Sequence, residues 1–191
     1  MGSLGFEGYC AVCGTLRILR VPEGDNRNRL VCPRCDHIEY INPKIVVGCI
    51  PVWCDRILLC KRATPPQVGF WGFPAGYMEM NESAIEGAAR ETLEESEAKV
   101  IIEPDDLISV TSVLDSNQVH MVFKGHMLTD HHSTTEESSE TMLITPDGIP
   151  WGELAFDSVT VALDRFLNVI YNGGYNTDVY ATVSQQIIKR G

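Results

Sequence analysis

The sequence is short of positive charge, has no long apolar run and shows no internal repeat. Lys and Arg number 15 against 26 Asp and Glu, a formal net charge of −11 at pH 7. A surface of that sign repels polyanions and argues against duplex DNA or long RNA as a partner. A small phosphorylated molecule stays open, provided that cations offset the charge locally. No stretch reaches the roughly 18 consecutive apolar residues of a membrane span. The most apolar run, residues 45–54, is closed by Asp55 and Arg56 and reads as a buried strand. The first residues lack the basic n-region and apolar h-region of a secretory signal, and an Arg- and Ser-rich transit segment is also missing. The expected location is an intracellular, reducing compartment, the cytoplasm, with an organelle open where a transit segment has been removed. What remains is ordinary: 191 residues, 44% of them hydrophobic, enough for one cored domain and a small appendage.

Seven cysteines is an odd number, and four of them form two close pairs, Cys10-x-x-Cys13 and Cys32-x-x-Cys35, with 18 residues between. Each CxxC turn can give two sulfurs to one tetrahedral Zn²⁺, and a short module with few apolar residues needs such a staple to fold. A closed four-cysteine site has no open position for a substrate, so this zinc is expected to be structural. Cys49, Cys54 and Cys60 lie within or beside apolar strands and are expected in the core.

The chain reads in three parts. Residues 1–41 form the cysteine module, with a polar turn over 21–29 between short strands. The Asn42-Pro43 step is a natural junction, since proline biases its predecessor towards extended backbone. Residues 42–172 form the main domain and 173–191 a tail without strong signal. In the main domain, 44–52 and 56–61 predict a hairpin turning at Trp53-Cys54-Asp55. A helix is predicted over 83–96, capped by Asn81 or Ser83, with Ala84, Ile85, Ala88 and Leu93 as its apolar side. Strands are expected at 99–103, 107–114 and 118–128. In the last, Val119, Met121 and Phe123 alternate with His120 and Lys124 as in a half-buried strand. Residues 129–141 read as a solvated loop, and 156–171 as a second helix ended by Asn172-Gly-Gly174.

The chemistry concentrates on the first helix. Glu91, Glu94 and Glu95 stand at i, i+3 and i+4 and project from one face. Carboxylates so crowded repel each other unless a hard cation such as Mg²⁺ or Mn²⁺ sits among them. Arg90 can hold one of them through a charge-assisted hydrogen bond. Gly76 permits an unusual backbone conformation that could aim its carbonyl at the same ion. A merely solvated acidic face would not require Gly, Glu and Arg at fixed distances from the cluster.

Gly76, Glu82, Arg90, Glu91, Glu94 and Glu95 match the Nudix box, Gly-x5-Glu-x7-Arg-Glu-U-x-Glu-Glu-x-Gly-U. The segment Trp71-Gly-Phe-Pro-Ala-Gly76 resembles the family's entry to that box, and the resemblance spans about residues 42–171. With the cysteine module ahead of Asn42-Pro-Lys-Ile-Val-Val-Gly48, the chain resembles the zinc-ribbon branch of Nudix hydrolases, most closely the plant-type FAD/ADP-ribose pyrophosphatases. The resemblance implies an α/β/α sandwich around a mixed sheet, carrying a small N-terminal zinc ribbon. It implies Glu91, Glu94, Glu95 and the Gly76 carbonyl as ligands of Mg²⁺ or Mn²⁺, with Glu82 and Arg90 orienting them. Glu94 or Glu140 would take the proton from the attacking water, with Glu137 the second choice to Glu140. Arg62 would contact phosphate.

The implied reaction is hydrolysis of a pyrophosphate bridge in FAD or ADP-ribose, giving AMP plus FMN or ribose 5-phosphate. NADH is the enzymatic alternative, although the Ser-Gln-Pro-Trp-Pro-type segment of NADH pyrophosphatases is replaced here by Lys99-Val-Ile-Ile-Glu-Pro-Asp-Asp106. An inert zinc-ribbon binding module is the alternative of a different class. The partner is thus a dinucleotide or nucleotide-sugar, and a homodimer stays among the open assemblies. Two positions depart from the box. Thr92 takes a hydrophobic place, and Glu97 stands where glycine ends the helix at φ > 0. A non-glycine residue there costs about 1 kcal/mol, which predicts a helix that runs on or turns differently.

Overall fold

The structure, a computed structural model, describes residues 8–171 and 180–183. It divides at Asn42 into two compact units. The first is a three-stranded antiparallel sheet of β1 (Ile18–Arg20), β2 (Arg29–Val31) and β3 (Ile38–Glu39). Asp25 organises the turn between β1 and β2, accepting hydrogen bonds from the Asn26 and Arg27 amides and from Arg29. The two CxxC turns repeat one geometry. Cys10 N donates to Thr15 O and Gly14 N to Cys10 O; Cys32 N donates to His37 O and Asp36 N to Cys32 O. Gly14 and Asp36 sit at φ 71° and 56°. The buried apolar residues of this unit are few, Leu30 and Val31 beside Cys10 and Cys32, so apolar burial alone gives it little stability.

The second unit is a mixed sheet with a helix on each face. Its strands are β4 (Lys44–Trp53), β5 (Arg56–Arg62), β6 (Trp71–Gly72), β7 (Ala75–Tyr77), β8 (Val100–Ile101), β9 (Leu107–Val113), β10 (Gln118–Met127), β11 (Ser138–Ile144) and β12 (Tyr180–Val183). The main order is β11-β5-β4-β10-β9-β12, with β10 parallel to β4 and β12 parallel to β9. Helix α1 (Ala84–Ser96) covers Val47, Cys49 and Phe123 on one face. Helix α2 (Asp157–Tyr171) covers the other, with Leu163 and Phe166 against Ile50, Leu59 and Val122. No helix among the described residues is long and apolar enough to cross a membrane.

The hairpin turns at Cys54-Asp55, with Trp53 paired to Arg56. Beyond that end β4 and β5 separate, and the gap receives β6 on the β5 side and β7 on the β4 side. The cleft opens where the two strands part.

Several expectations are corrected. Leu93 is 45% exposed; the packed stripe of α1 is Ala84, Ile85, Ala88 and Thr92. Thr92 tolerates full burial because its hydroxyl donates to Ala88 O at 2.7 Å. Helix α1 does stop at Glu97, which adopts the left-handed conformation (φ 57°, ψ 2°) in the glycine's stead, its N–H bonded to Leu93 O. Cys54 is exposed in the turn rather than part of the core. Strand β10 is covered on both faces near its middle, so Val122 and Phe123 are both buried and His120 is half-buried. The polar run 129–141 is not all loop, since β11 begins at Ser138. The tail includes β12; Asn172-Gly-Gly174 lies outside the described residues.

Candidate active site

Helix α1 begins with a complete capping box: Ser83 Oγ accepts from Glu86 N, and Glu86 Oε2 accepts from Ser83 N. This fixes the first turn, so that two turns later Glu95 lines the cleft, Glu91 packs its carboxylate against Gly76, and Glu94 is exposed. Arg90 ties the cluster together. Its guanidinium donates to both oxygens of Glu82 (3.0 and 2.8 Å), to Glu91 (2.7 Å), to Glu94 (2.9 Å) and to the Tyr77 carbonyl (3.2 Å). One cation therefore spans three carboxylates, where the spacing had suggested one.

Gly76 works by absence of a side chain, not by unusual backbone. It lies in regular strand pairing opposite Val47, and a Cβ there would fall on the Glu91 carboxylate.

The carboxylates differ by environment. The hydrogen bonds from Arg90, then the Glu79 amide, hold Glu82 down to about 2. Desolvation raises Glu91 against the opposing pull of Arg90. Desolvation raises Glu95 to about 8; its partner is the Ala75 amide at 3.3 Å, and Glu91 and Glu137 add repulsion. A half-buried carboxylate this destabilised as an anion, beside a second one packed against Gly76, suits a hard divalent cation, whose charge would reverse the penalty.

Glu140 is not at this cluster. It sits on β11 past an irregularity in the pairing with β5, and its carboxylate pairs with Lys61 Nζ at 2.8 Å. The loop glutamate whose charge bears on Glu91 and Glu95 is Glu137, and Ala63 N fixes its backbone through Glu137 O at 2.8 Å.

The cleft beside the cluster has a volume of about 470 Å³. Gly76 and Glu95 line one part, joined by Arg62 from the end of β5. Arg62 donates from Nε to Pro66 O at 2.8 Å, and its guanidinium lies 5.4 Å from the Phe156 ring centre. Tyr77, Gln118 and His120 line another part. Gln118 donates to the Tyr77 hydroxyl at 3.0 Å, and its Oε1 lies 2.9 Å from His120 Nε2. Burial pushes His120 down to about 4, so this part presents neutral hydrogen-bonding groups. Nothing in the sequence marks Tyr77 for this role, and Gln118 and His120 show only as a period-two row of polar residues on β10, the pattern of a wet strand face.

The four cysteines gather as a second centre. Their sulfurs lie within 4.8 Å of one another, with Cys10–Cys35 at 3.7 Å and Cys13–Cys32 at 3.4 Å. Sulfurs around a tetrahedral zinc stand about 3.8 Å apart, whereas a disulfide bond is about 2.05 Å; all four thiols are free. Thr15, through its hydroxyl and its backbone, pulls the Cys13 thiol down to about 6. Among the described residues these cysteines form the one set of three or more Cys, His, Asp or Glu ligand atoms so close together.

Residues 8–41 match the model of the Nudix N-terminal zinc ribbon, and residues 42–156 match the NUDIX domain. A NUDIX hydrolase from Nitrosomonas europaea has a solved structure with 41% identity and TM-score 0.86, covering 93% of this chain and 99% of its own. A MutT-like protein of Streptomyces ambofaciens is 32% identical over 104 residues, 54% of this chain; the match spans 64% of that relative's length. The NUDIX domain of Shewanella oneidensis NrtR, solved with ADP ribose, shares the fold at 17% identity and TM-score 0.60, covering 69% of this chain and 90% of its own. With the box residues gathered beside the cleft and the domain model covering well over half of its length, the chain belongs to the Nudix family and carries that family's N-terminal zinc ribbon.

Proposed function

We propose that the protein is a divalent-metal-dependent pyrophosphohydrolase that cuts the P–O–P bridge of a nucleoside diphosphate linked to another moiety. One observation carries the reading: a single helix places Glu95 on the wall of a cleft that also carries Arg62 and Gly76, with the Glu91 carboxylate packed against Gly76. Glu91, Glu94, Glu95 and the Gly76 carbonyl would hold Mg²⁺ or Mn²⁺. When bound, the ion supplies an acidified water and offsets charge on the phosphoryl oxygens. Arg90, anchored on Glu82, keeps the helix glutamates in place. Arg62 takes a phosphate oxygen. Glu94 or Glu137 accepts the proton of the attacking water; Glu140, paired with Lys61, is replaced in that role. The four cysteines would hold a structural Zn²⁺.

The preferred substrates are FAD and ADP-ribose, giving AMP plus FMN or ribose 5-phosphate, with NADH next. The neutral Tyr77–Gln118–His120 group, with Phe73 and Val122 beside it, suits an uncharged planar base better than a further phosphate. The test is a panel of FAD, ADP-ribose and NADH with Mg²⁺ or Mn²⁺, products separated by chromatography. Glu94→Gln and Glu95→Gln should each lower turnover about 10²–10³-fold. Glu86→Gln, which retains a capping-box side chain, should leave it unchanged. Equal losses in all three variants would make the helix merely structural, and an inactive wild type would favour the inert binding module.

A further inference from the structure

Ser138 opens β11 directly across from Arg62 on β5. Cross-strand partners leave a sheet on the same face, and so does Cys60, two residues before Arg62. All three line the cleft, as does Glu95. Ser138 is 1% exposed, and its hydroxyl makes no hydrogen bond of proper geometry among the described residues. Its polar neighbour is the Cys60 thiol, which lies within hydrogen-bonding reach. A thiol is a weak partner. The backbone around the hydroxyl is held firmly: Ser138 O accepts from Thr135 N at 3.1 Å, and Glu137 O from Ala63 N at 2.8 Å.

A buried hydroxyl without a partner is costly to keep. Two others share that condition, Ser109 and Thr111 on β9, but neither lines the cleft. Ser138 differs in lining the cleft, as the cross-strand partner of Arg62, which lines it too. We propose that the Ser138 hydroxyl is a substrate-binding group, donating to a non-bridging oxygen of the bound pyrophosphate next to Arg62. The neighbouring cation selects an anionic acceptor over a sugar hydroxyl or a base. The assignment rests on the function proposed above and names a phosphate contact that the box itself does not contain.

The experiment compares the full-length wild type with Ser138→Ala and Ser109→Ala. It measures Tm without ligand and calorimetric affinity for imidodiphosphate, a non-hydrolysable pyrophosphate analogue, in the presence of Mg²⁺. Both variants should melt at or above the wild-type temperature, because each removes an unpartnered buried hydroxyl. Ser138→Ala should bind imidodiphosphate about tenfold more weakly, and Ser109→Ala as wild type does. Unchanged affinity in Ser138→Ala overturns the proposal, as does a lowered Tm, which would mean that the hydroxyl has a partner inside the fold. A wild type that does not bind imidodiphosphate overturns it too. If the wild type binds imidodiphosphate in a Ser138-dependent way yet hydrolyses none of FAD, ADP-ribose and NADH, the substrate reading fails and the phosphate contact stands.

Discussion

Replacing Gly76 by alanine tests how closely the site is built. The backbone offers no objection, because Gly76 lies in regular strand pairing opposite Val47. The obstacle is spatial: the added methyl lands on the Cδ and both oxygens of Glu91. Glu91 is 9% exposed, and Arg90 holds its carboxylate at 2.7 Å. If the side chain stays, overpacking costs about 1–3 kcal/mol. If it swings away, the charge-assisted bond to Arg90 is lost, again about 1.5–3 kcal/mol. Either route should lower Tm by about 2–4 °C per kcal/mol for a chain of this size. Both routes displace a carboxylate proposed above as a metal ligand, so turnover should fall by about 10²–10³-fold. Scanning calorimetry and the substrate panel measure the two effects. A Gly76→Ala protein that melts with the wild type and keeps its activity would show that Glu91 has room to spare and that the cradle argument is wrong.

Glu97→Gly should raise stability by about 0.5–1 kcal/mol, since glycine adopts the left-handed cap without strain; a lower Tm would mean that the Glu97 side chain contributes more than its backbone costs. His120 is held near 4 by burial, against 6.5 for the exposed ring. The unfolded chain therefore binds the proton first as pH falls from 6.5 towards 4, and folding stability declines across that window, by about 2 kcal/mol at most at pH 5. His120→Gln should remove this component, seen as a smaller difference in chemical-denaturation midpoint between pH 7.5 and pH 5; identical differences in the two proteins would refute it. Metal analysis should find about one zinc per chain, and Cys32→Ser should lower it. After chelation, proteolysis should cut first within residues 8–41 and leave 43–171 intact; folding of that module without zinc would count against the site.

The carboxylate helix could be read from sequence because its constraints are local. Residues 91, 94 and 95 share a face on any helix, and Ser83 with Glu86 writes its start. The metal-type spacing of the four cysteines is local in the same sense. What was hidden depended on distant strands. Glu137 and Glu140 stand in a uniformly polar run that does not distinguish them, and only the irregular pairing at the start of β11, against β5, sends Glu140 to Lys61. Ser138 lies in that run with nothing to mark it. The alternation on β10 correctly suggested a strand but not that α2 and the cleft cover the face bearing His120. Glu97 shows a local rule overridden: the helix stops where glycine would stop it, because Ser96 O is committed to Ser133 N and Ala98 is fully buried just beyond.

Arg90 has one more consequence, concerning the order of assembly. Because a built-in cation already spans Glu82, Glu91 and Glu94, the main domain can reach its native shape before any ion arrives. If the proposed magnesium or manganese site is loaded only afterwards, the ion could leave and return without the domain unfolding. The cysteine module, with so little apolar interior, has no such internal counterpart and must capture its ion as it folds. The two halves of one chain would thus respond to scarcity differently: one falls silent and recovers, the other comes apart.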